Sequence, residues 1–482
     1  MVAPDIRAKY LPTIGIECHV QLKTVTKLFS GADNDARDAA PNTMVSPICF
    51  GLPGTLPVLN KEAVQLAIRA GLALKSTIAE YSYFERKHYF YPDLPKGYQI
   101  TQLAHPTIGE GVVTIHLENG EQKPIRVHHA HIEEDAGKLT HPSGATYSLV
   151  DLNRAGTPLI EIVSQPDMHT AEEAKAYAQE LYLLMTYADV THGDLYHGNM
   201  RFDVNVSVAR EGEPLGTRTE TKNLNSFKAV ERAVEFEIER QIELLEKGNR
   251  VVQETRGWNE DRQATFSQRS KEDAHDYRYF PDADLPPIYL TEKDVEAVRV
   301  AMPRLPEVYR SAYEQLGLDS SVISALMNEK SRADMVLEVQ EAADDSAAVR
   351  VAHWFSTVLA QQNDSSESLK NLDSTRLIEL STMVEADELS STTAKEVLIE
   401  MIESTAAPRD IAEKKNLLQI SDEGAIGAVV EEVMNDPANA KALEDIRSGN
   451  ERVIGFLVGQ VMKKSAGKAN PALVQKLIKE RV

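Results

Sequence analysis

Hydrophobic periodicity changes character once along this sequence, near Thr291, and any fold has to accommodate that change. Before it, short segments in which apolar and polar residues alternate, such as "RFDVNVSVA", are separated by turn-rich pieces such as "YPDLPKGY" and "GLPGTLP". A period of two belongs to half-buried strands, and the intervening Gly, Pro and Asp mark turns. Helices are interleaved with them. One follows "DMHT", with Thr170 and Glu173 in capping-box spacing; another follows Ser226, with Val230, Val234, Ile238, Ile242 and Leu245 on one stripe and Gly248 past its end. After Thr291 only helical periodicity remains, broken by polar stretches such as "QQNDSSES" and "STAAPRD". The expected fold class is therefore α+β: an N-terminal domain over residues 1–292 on an antiparallel or mixed sheet, an all-helical connector over 293–407, and an all-helical tail over 408–482 that starts at Pro408.

Composition narrows the class of function. A length of 482 residues exceeds what one core usually serves, since cores stop growing at roughly 250 to 300 residues. No apolar run approaches the about 18 residues of a membrane span, so no membrane partner is expected. The start, "MVAPDIRAKYLP", has no apolar core of a secretory signal, and Cys18 and Cys49 are the only cysteines, which suits a reducing, cytoplasmic setting. A net charge of −22 excludes a surface that holds nucleic acid everywhere by phosphate neutralisation. A local basic stretch does occur at the end of the chain, where Lys463, Lys464, Lys468, Lys476, Lys479 and Arg481 face a single acid, Glu480.

Four segments combine an apolar face with an unusually acidic polar one. In "IGIECHVQL" alternation puts Ile16, Cys18, Val20 and Leu22 on one side and Glu17, His19 and Gln21 on the other. "RFDVNVSVA" turns Phe202, Val204, Val206 and Val208 one way and Arg201, Asp203, Asn205 and Ser207 the other. "GTRTETKN" groups Arg218, Glu220 and Lys222, while "VHHAHIEEDAGK" groups His129, His131 and Glu133, with Glu134 following where the strand ends. One wet face is ordinary for an antiparallel sheet. Glu17, His19, Glu133, Glu134, Asp203 and Glu220 together, however, are hard-metal ligands of the kind that suits magnesium or manganese. The imidazoles of His128, His129, His131 and His141 keep a zinc site open as an alternative, although no CxxC pair is present.

Cationic and amide side chains sit among these acids: Lys87, Lys138, Arg154, Arg201, Asn205, Arg218, Lys222 and Asn223. A divalent metal bridging to such groups can hold a triphosphate and stabilise a transferring phosphoryl group. There is no GxxxxGK[ST] and no strand-anchored GxGxxG, so the site is neither a P-loop nor a dinucleotide fold.

The block "LVDLNRAGTPLIEIV", Leu149 to Val163, closely resembles the signature of the B-subunit family of bacterial aspartyl/glutamyl-tRNA amidotransferases. Similar blocks extend from "IGIECHVQL" through "GLPGTLPVLN", "RKHYFYPDLPKGYQI", "HIEEDAGK", "ETKNLNSF" and "DYRYFPDADLPP" to "GFLVGQVMKKSAGKANP", covering essentially the whole chain. The resemblance implies a catalytic cradle domain, a helical connector and a tail domain that contacts tRNA. It also implies a reaction, in which ATP with Mg2+ phosphorylates the side chain of Glu on tRNA(Gln) or Asp on tRNA(Asn) and ammonia displaces the phosphate. That is a carbon–nitrogen ligase with glutamine as amide donor. The family's metal-site residues map onto Glu17, His19, Glu133 or Glu134, Asp203 and Glu220.

The same resemblance implies that ammonia comes through a channel from a separate amidase (A) subunit, with a small C subunit completing a heterotrimer. Lys87 and His88 are then candidates for the channel or its gate. Arg154, Arg201, Asn205, Arg218, Lys222 and Asn223 are candidates for holding the nucleotide, and Lys463, Lys464 and Lys468 for holding tRNA. Some family members bind zinc through cysteine pairs near "CFGLPG"; here Cys49 stands unpaired, so no structural zinc is expected. Cys18, on the apolar face, is expected in the core. A non-catalytic tRNA-binding scaffold is the competing reading, with the polar strand faces merely wet.

Overall fold

The computed structural model describes residues 2–270, 276–358, 369–419, 423–448, 450–465 and 469–482. The chain divides into two compact units, Met1–Pro306 and Glu307–Val482. The first unit begins with α1 (Pro4–Arg7), β1 (Tyr10–Gln21), α2 (Lys61–Ala73), β2 (Tyr81–Ser82), β3 (Glu85–His88), β4 (Tyr98–Thr101), β5 (Gly111–His116) and β6 (Gln122–Glu134). It continues with β7 (Lys138–Thr140), β8 (Leu149–Asp151), β9 (Pro158–Ser164), α3 (Ala171–Tyr187), β10 (Met200–Arg210), β11 (Thr219–Leu224) and α4 (Phe227–Glu246). It closes with β12 (Glu254–Asn259), β13 (Ala264–Ser270), β14 (Phe280–Pro281), β15 (Ile288–Tyr289) and α5 (Glu292–Val300).

An eight-stranded sheet in the order β13-β12-β11-β10-β1-β9-β6-β5 organises this unit. Its neighbours are antiparallel except β11 and β12, which makes the sheet mixed. One face is apolar: Ile14, Ile16, Cys18, Val20, Ala130, Ile132, Ile160, Ile162, Phe202, Val204 and Val206 are almost wholly buried. Helices α2, α3 and α4 cover that face. Both expected helix starts carry a side-chain cap, with Thr170 Oγ1 accepting from Glu173 N at 3.0 Å and Ser226 Oγ from Ala229 N at 3.1 Å. Val230, Val234, Ile238 and Ile242 of α4 are buried as the stripe predicts, and Gly248 takes φ +74, a left-handed conformation open to glycine.

The last strand ends at Tyr289 and the helices begin at Glu292, where the periodicity changes. Helix α5 packs against α2 within the first unit. In the second unit all the described regular structure is helical. Pro408 opens a short helix, Pro408–Lys414, that packs against the helices Ser374–Glu385 and Ser391–Glu403. Farther along, Glu423–Met434, Ile454–Lys464 and Pro471–Arg481 pack around Ile426, Val430, Leu457, Val461, Val474 and Ile478. No helix among the described residues is long and apolar enough to cross a membrane.

Candidate functional site

The face of the large sheet turned away from α2, α3 and α4 gathers the polar residues that alternation assigned to it, with Glu133, His131 and Asp203 buried there. Register does this directly. Glu17 of β1 lies opposite Asp203 of β10, and His19 opposite Arg201. On the other side of β1, His19 lies opposite Glu161 of β9, which in turn lies opposite His131 of β6. A single row thus runs His131, Glu161, His19, Arg201 across adjacent strands, with side chains standing on one face because parity is shared.

Two ligand-type groups result. His19, Glu133 and Glu161 offer atoms within 4.8 Å of one another, and so do Glu17, Asp203 and Glu220. In the first, His19 Nε2 is 3.6 Å from Glu133 and 3.5 Å from Glu161, and His131 Nε2 is 3.3 Å from Glu161. In the second, Lys222 Nζ sits between Asp203 at 2.8 Å and Glu220 at 2.7 Å, while Asn205 Nδ2 donates to Glu17 at 3.1 Å. Asp203 also accepts from the backbone N–H of Asn223 at 2.8 Å, a bond made possible by the left-handed φ of +59 that Asn223 adopts.

Electrostatics follow from crowding like charges in a half-dry place. Burial, with Glu161, Glu220 and Asp203 nearby, pushes the Glu17 carboxyl up against the opposing pull of Lys222. Burial alone would pull His19 down, but its hydrogen bond to Glu161 and the charges of Glu161, Glu133 and Asp203 raise it to about 9. His131 rises to about 10 on the same opposition between burial and its bonds to Glu133 and Glu161. Burial would likewise raise Glu161, yet the two imidazoles hold it well below the carboxylate range. Burial and the facing His131 and His128 push His129 down to about 4.

Not every expected residue joins the site. Glu134, one position past Glu133, turns to the other side: its carboxylate accepts from Ile100 N at 2.9 Å and pairs with Lys96. Arg154 donates to the carbonyls of Ala136 and Gly137 and pairs with Asp135 at 3.2 Å, and Arg201 is also drawn to Asp135, at 3.1 Å. Lys87 and His88 part company on β3. The Lys87 ammonium lies 5.0 Å over the Tyr277 ring. Burial pulls it down, but Glu133, Tyr279, Glu161 and Tyr277 outweigh that and hold it above the ordinary lysine value. His88 instead stacks on Phe280 and meets the carbonyl of Arg278. His128 is exposed, and His141 bonds Ser148. Cys18 is fully buried in the core. In the second unit Lys463 is exposed, Lys464 pairs with Glu432 at 2.7 Å, and Lys468 lies outside the described residues.

Glu161 is the site residue that sequence reasoning missed. Its segment, "PLIEIVS", is the inner strand β9, and a lone acid in an apolar run gave no alternation to follow. The signal available was that same anomaly, a carboxylate that a strand hydrogen-bonded on both sides must bury. Beside the second group opens a cleft of about 580 Å³, lined by Gly15, Glu17, Ser164, Asn205, Gly216 and Arg218, among others.

Comparison with known proteins agrees with this architecture. The family model described as the GatB/GatE catalytic domain matches residues 12–296, and the one described as the GatB domain matches residues 334–482. The B subunit of the aspartyl/glutamyl-tRNA(Asn/Gln) amidotransferase of Alcanivorax borkumensis is 46% identical over 480 residues, covering 97% of this chain and 98% of the relative. The proteins of that name from Caldanaerobacter subterraneus and a Synechococcus strain are 45% and 44% identical, covering 98% and 100% of this chain and 99% of each relative. With a sheet whose open face concentrates carboxylates and a helical second unit in the order both family models require, the chain belongs to the GatB family, the B subunits of aspartyl/glutamyl-tRNA(Asn/Gln) amidotransferases.

Proposed function

We propose that this chain is the subunit that activates and amidates the side-chain carboxylate of Glu or Asp on misacylated tRNA(Gln) or tRNA(Asn), as an ATP-dependent carbon–nitrogen ligase acting in a complex. The observation that carries this reading is the pair of adjoining groups, His19/Glu133/Glu161 and Glu17/Asp203/Glu220, on one open sheet face. Their donor set is mostly carboxylate oxygen, which fits a hard divalent cation such as Mg2+ better than zinc. The Lys222 ammonium, held between Asp203 and Glu220, supports this reading, since it answers the same concentration of negative charge.

A carboxylate is a poor acceptor for ammonia at neutral pH, so it must first become an acyl phosphate with a competent leaving group. Mg2+, when bound, offsets the charge of the triphosphate and of the carboxylate as two anions approach. The chain's own residues do the rest. Glu17, Asp203, Glu220, Glu133, Glu161 and His19 hold the cations; Lys222 adds a positive charge to the same wall, and Arg218, Asn205 and the backbone at Gly15 and Gly216 line the cleft beside it, a place for the nucleotide. Arg201, across from His19 in register, is held by Asp135 at 3.1 Å, and Arg154 shapes the Asp135–Gly137 turn. Ammonia arrives from an amidase subunit held in a heterotrimer with a small third subunit, and Lys87 with Tyr277 forms the gate on the Glu133 side. The exposed Lys463 and Lys464 of the second unit, with Lys468, meet the tRNA.

The test is ammonia-dependent amidation of each misacylated tRNA by the assembled complex. Glu17→Gln and Asp203→Asn should each lower amide formation on the order of 10³-fold and leave the glutaminase activity of the amidase subunit intact. Wild-type rates in both variants would remove the metal assignment.

A further inference from the structure

Away from the acidic face lies a lysine in an unusual position. Lys27 is 1% exposed, and among the described residues no carboxylate comes within ion-pair distance of its ammonium. Its polar neighbours are Cys49 Sγ at 3.4 Å and the carbonyl of Leu152 at 3.5 Å. Cys49 is itself buried, with Ser46 Oγ at 3.3 Å and the Ala155 carbonyl at 3.4 Å. The two side chains line one small cavity with Phe29, Ile48, Leu94 and Glu134. They close on Gly156, where a Cβ would meet Lys27 Cδ at 3.6 Å, Glu134 Oε2 at 3.9 Å and Cys49 Sγ at 4.0 Å.

An amine taken out of water without an anion is driven toward its neutral form, in which the nitrogen lone pair is nucleophilic. Burial lowers the Lys27 ammonium in this way, against smaller opposing pulls from Cys49, Asp151 and Glu134. A nucleophilic nitrogen beside a sulfur is the arrangement in which an oxidised cysteine is trapped by an amine rather than oxidised further.

We infer that Lys27 and Cys49 form an oxidative modification site, in which hydrogen peroxide joins Nζ to Sγ as a reversible crosslink. Peroxide first converts the thiol to a sulfenic acid and releases one water. The Lys27 nitrogen then attacks sulfur, the S–OH bond breaks, and the hydroxide leaves with a proton from nitrogen as a second water. Sulfur loses two electrons and the peroxide gains them, so the linked chain is lighter by two hydrogens. The other thiol, Cys18, is packed into the sheet core among apolar neighbours. Crosslinking would pin the segment that carries Cys49 to the segment that carries Lys27, across the small cavity that Glu134 also lines.

The experiment is peroxide treatment of the full chain, followed by intact mass and peptide mapping under denaturing, non-reducing conditions. The expected result is a peptide joining the Lys27 and Cys49 segments, loss of tryptic cleavage after Lys27, and full reversal by dithiothreitol; Cys49→Ser and Lys27→Met should each lose the linked peptide. The wild-type mass readout needs neither variant to fold. Conversion of Cys49 to a sulfinic acid with Lys27 still cleavable, a Cys18–Cys49 disulfide, a linked peptide heavier by one oxygen, or an equal crosslink yield from the chain oxidised in denaturant would each overturn the assignment.

Discussion

The two faces of the large sheet treat carboxylates in opposite ways. On the face under the helices, Glu237 of α4 is fully buried and saturated: it accepts from Arg240 Nη2 at 2.8 Å, from Thr219 Oγ1 at 2.9 Å and from Thr265, and it pairs with the Arg256 guanidinium at 2.9 Å. One negative charge there has two guanidinium partners. On the open face Glu17, Asp203, Glu220, Glu133 and Glu161 share Lys222 and the imidazoles of His19 and His131, while Arg201 is turned to Asp135. A buried carboxylate that serves the fold is over-supplied with donors, because an unpaired charge in that place costs several kcal/mol. Carboxylates left short of cations store an electrostatic demand that a divalent ion can meet. Stability and function are thus read from the same residue type by counting partners.

The sharpest way to break this contrast is to neutralise one acid on each face. Asp203→Asn should lower amidation by the assembled complex on the order of 10³-fold, as expected when a group that stabilises transition-state charge is removed. The same variant should leave the urea midpoint of the chain unchanged or slightly raised, since it relieves repulsion with Glu17 and Glu220. A large loss of stability in Asp203→Asn would mean that the open-face acids hold the fold after all.

Glu237→Gln should do the reverse, costing about 3 kcal/mol in urea unfolding because Arg240 and Arg256 lose their buried partner. Burial would raise the Glu237 carboxyl, but Arg240, Thr265 and Arg256 together hold it below the ordinary carboxylate value. Its contribution is therefore present above the unfolded carboxyl pKa, about 4.3, and fades as pH falls through the lower folded value. The gap between wild type and Glu237→Gln should narrow under acid; a gap that widened would contradict the network.

How much of this was readable in the sequence depended on how far apart the partners lie in the chain. Strand parity is local, so Glu17 with His19, Asp203 with Asn205, and His129 with His131 and Glu133 could be assigned to a polar face from spacing alone. Parity also separates Glu133 from Glu134, but only if the strand runs through both, and β6 does end at Glu134. Glu161 escaped because its meaning comes from register: it matters as the residue opposite both His19 and His131, which no local pattern encodes. Glu237 was hidden for a related reason. It sits beside the apolar stripe of α4 and becomes a core residue only because Arg256 and Thr265, from strands later in the chain, close over it. The change at Thr291 was legible because it rests on nothing but periodicity.

The open face should also respond to metal where the covered face cannot. Unfolding with Mg2+ at a hundred times its dissociation constant should stabilise the wild-type chain by about 2.7 kcal/mol, the linkage value for one site. Glu220→Gln should lose most of that increment, whereas Glu237→Gln should keep it while starting from a lower baseline. Equal magnesium responses in both variants would show that the ion binds somewhere other than the Glu17/Asp203/Glu220 group.

The smallest effect separates hydrogen bonding from charge on the covered face. Thr219 Oγ1 donates to Glu237 Oε2 at 2.9 Å and accepts from Gln241 Nε2, also at 2.9 Å, so its hydroxyl links two buried polar side chains. Thr219→Val keeps the shape and leaves both arginines in place, and Gln241 Nε2 retains its bond to the carbonyl of Val206 at 3.0 Å. The loss should therefore be that of one buried hydrogen bond, about 1 kcal/mol, and it should persist at low pH where the Glu237→Gln gap has closed. If Thr219→Val instead cost as much as Glu237→Gln, the saturation of Glu237 would be cooperative, with the hydroxyl positioning the carboxylate for both guanidinium groups. Measuring both substitutions and their combination decides between these, because independent contributions add and a shared network does not.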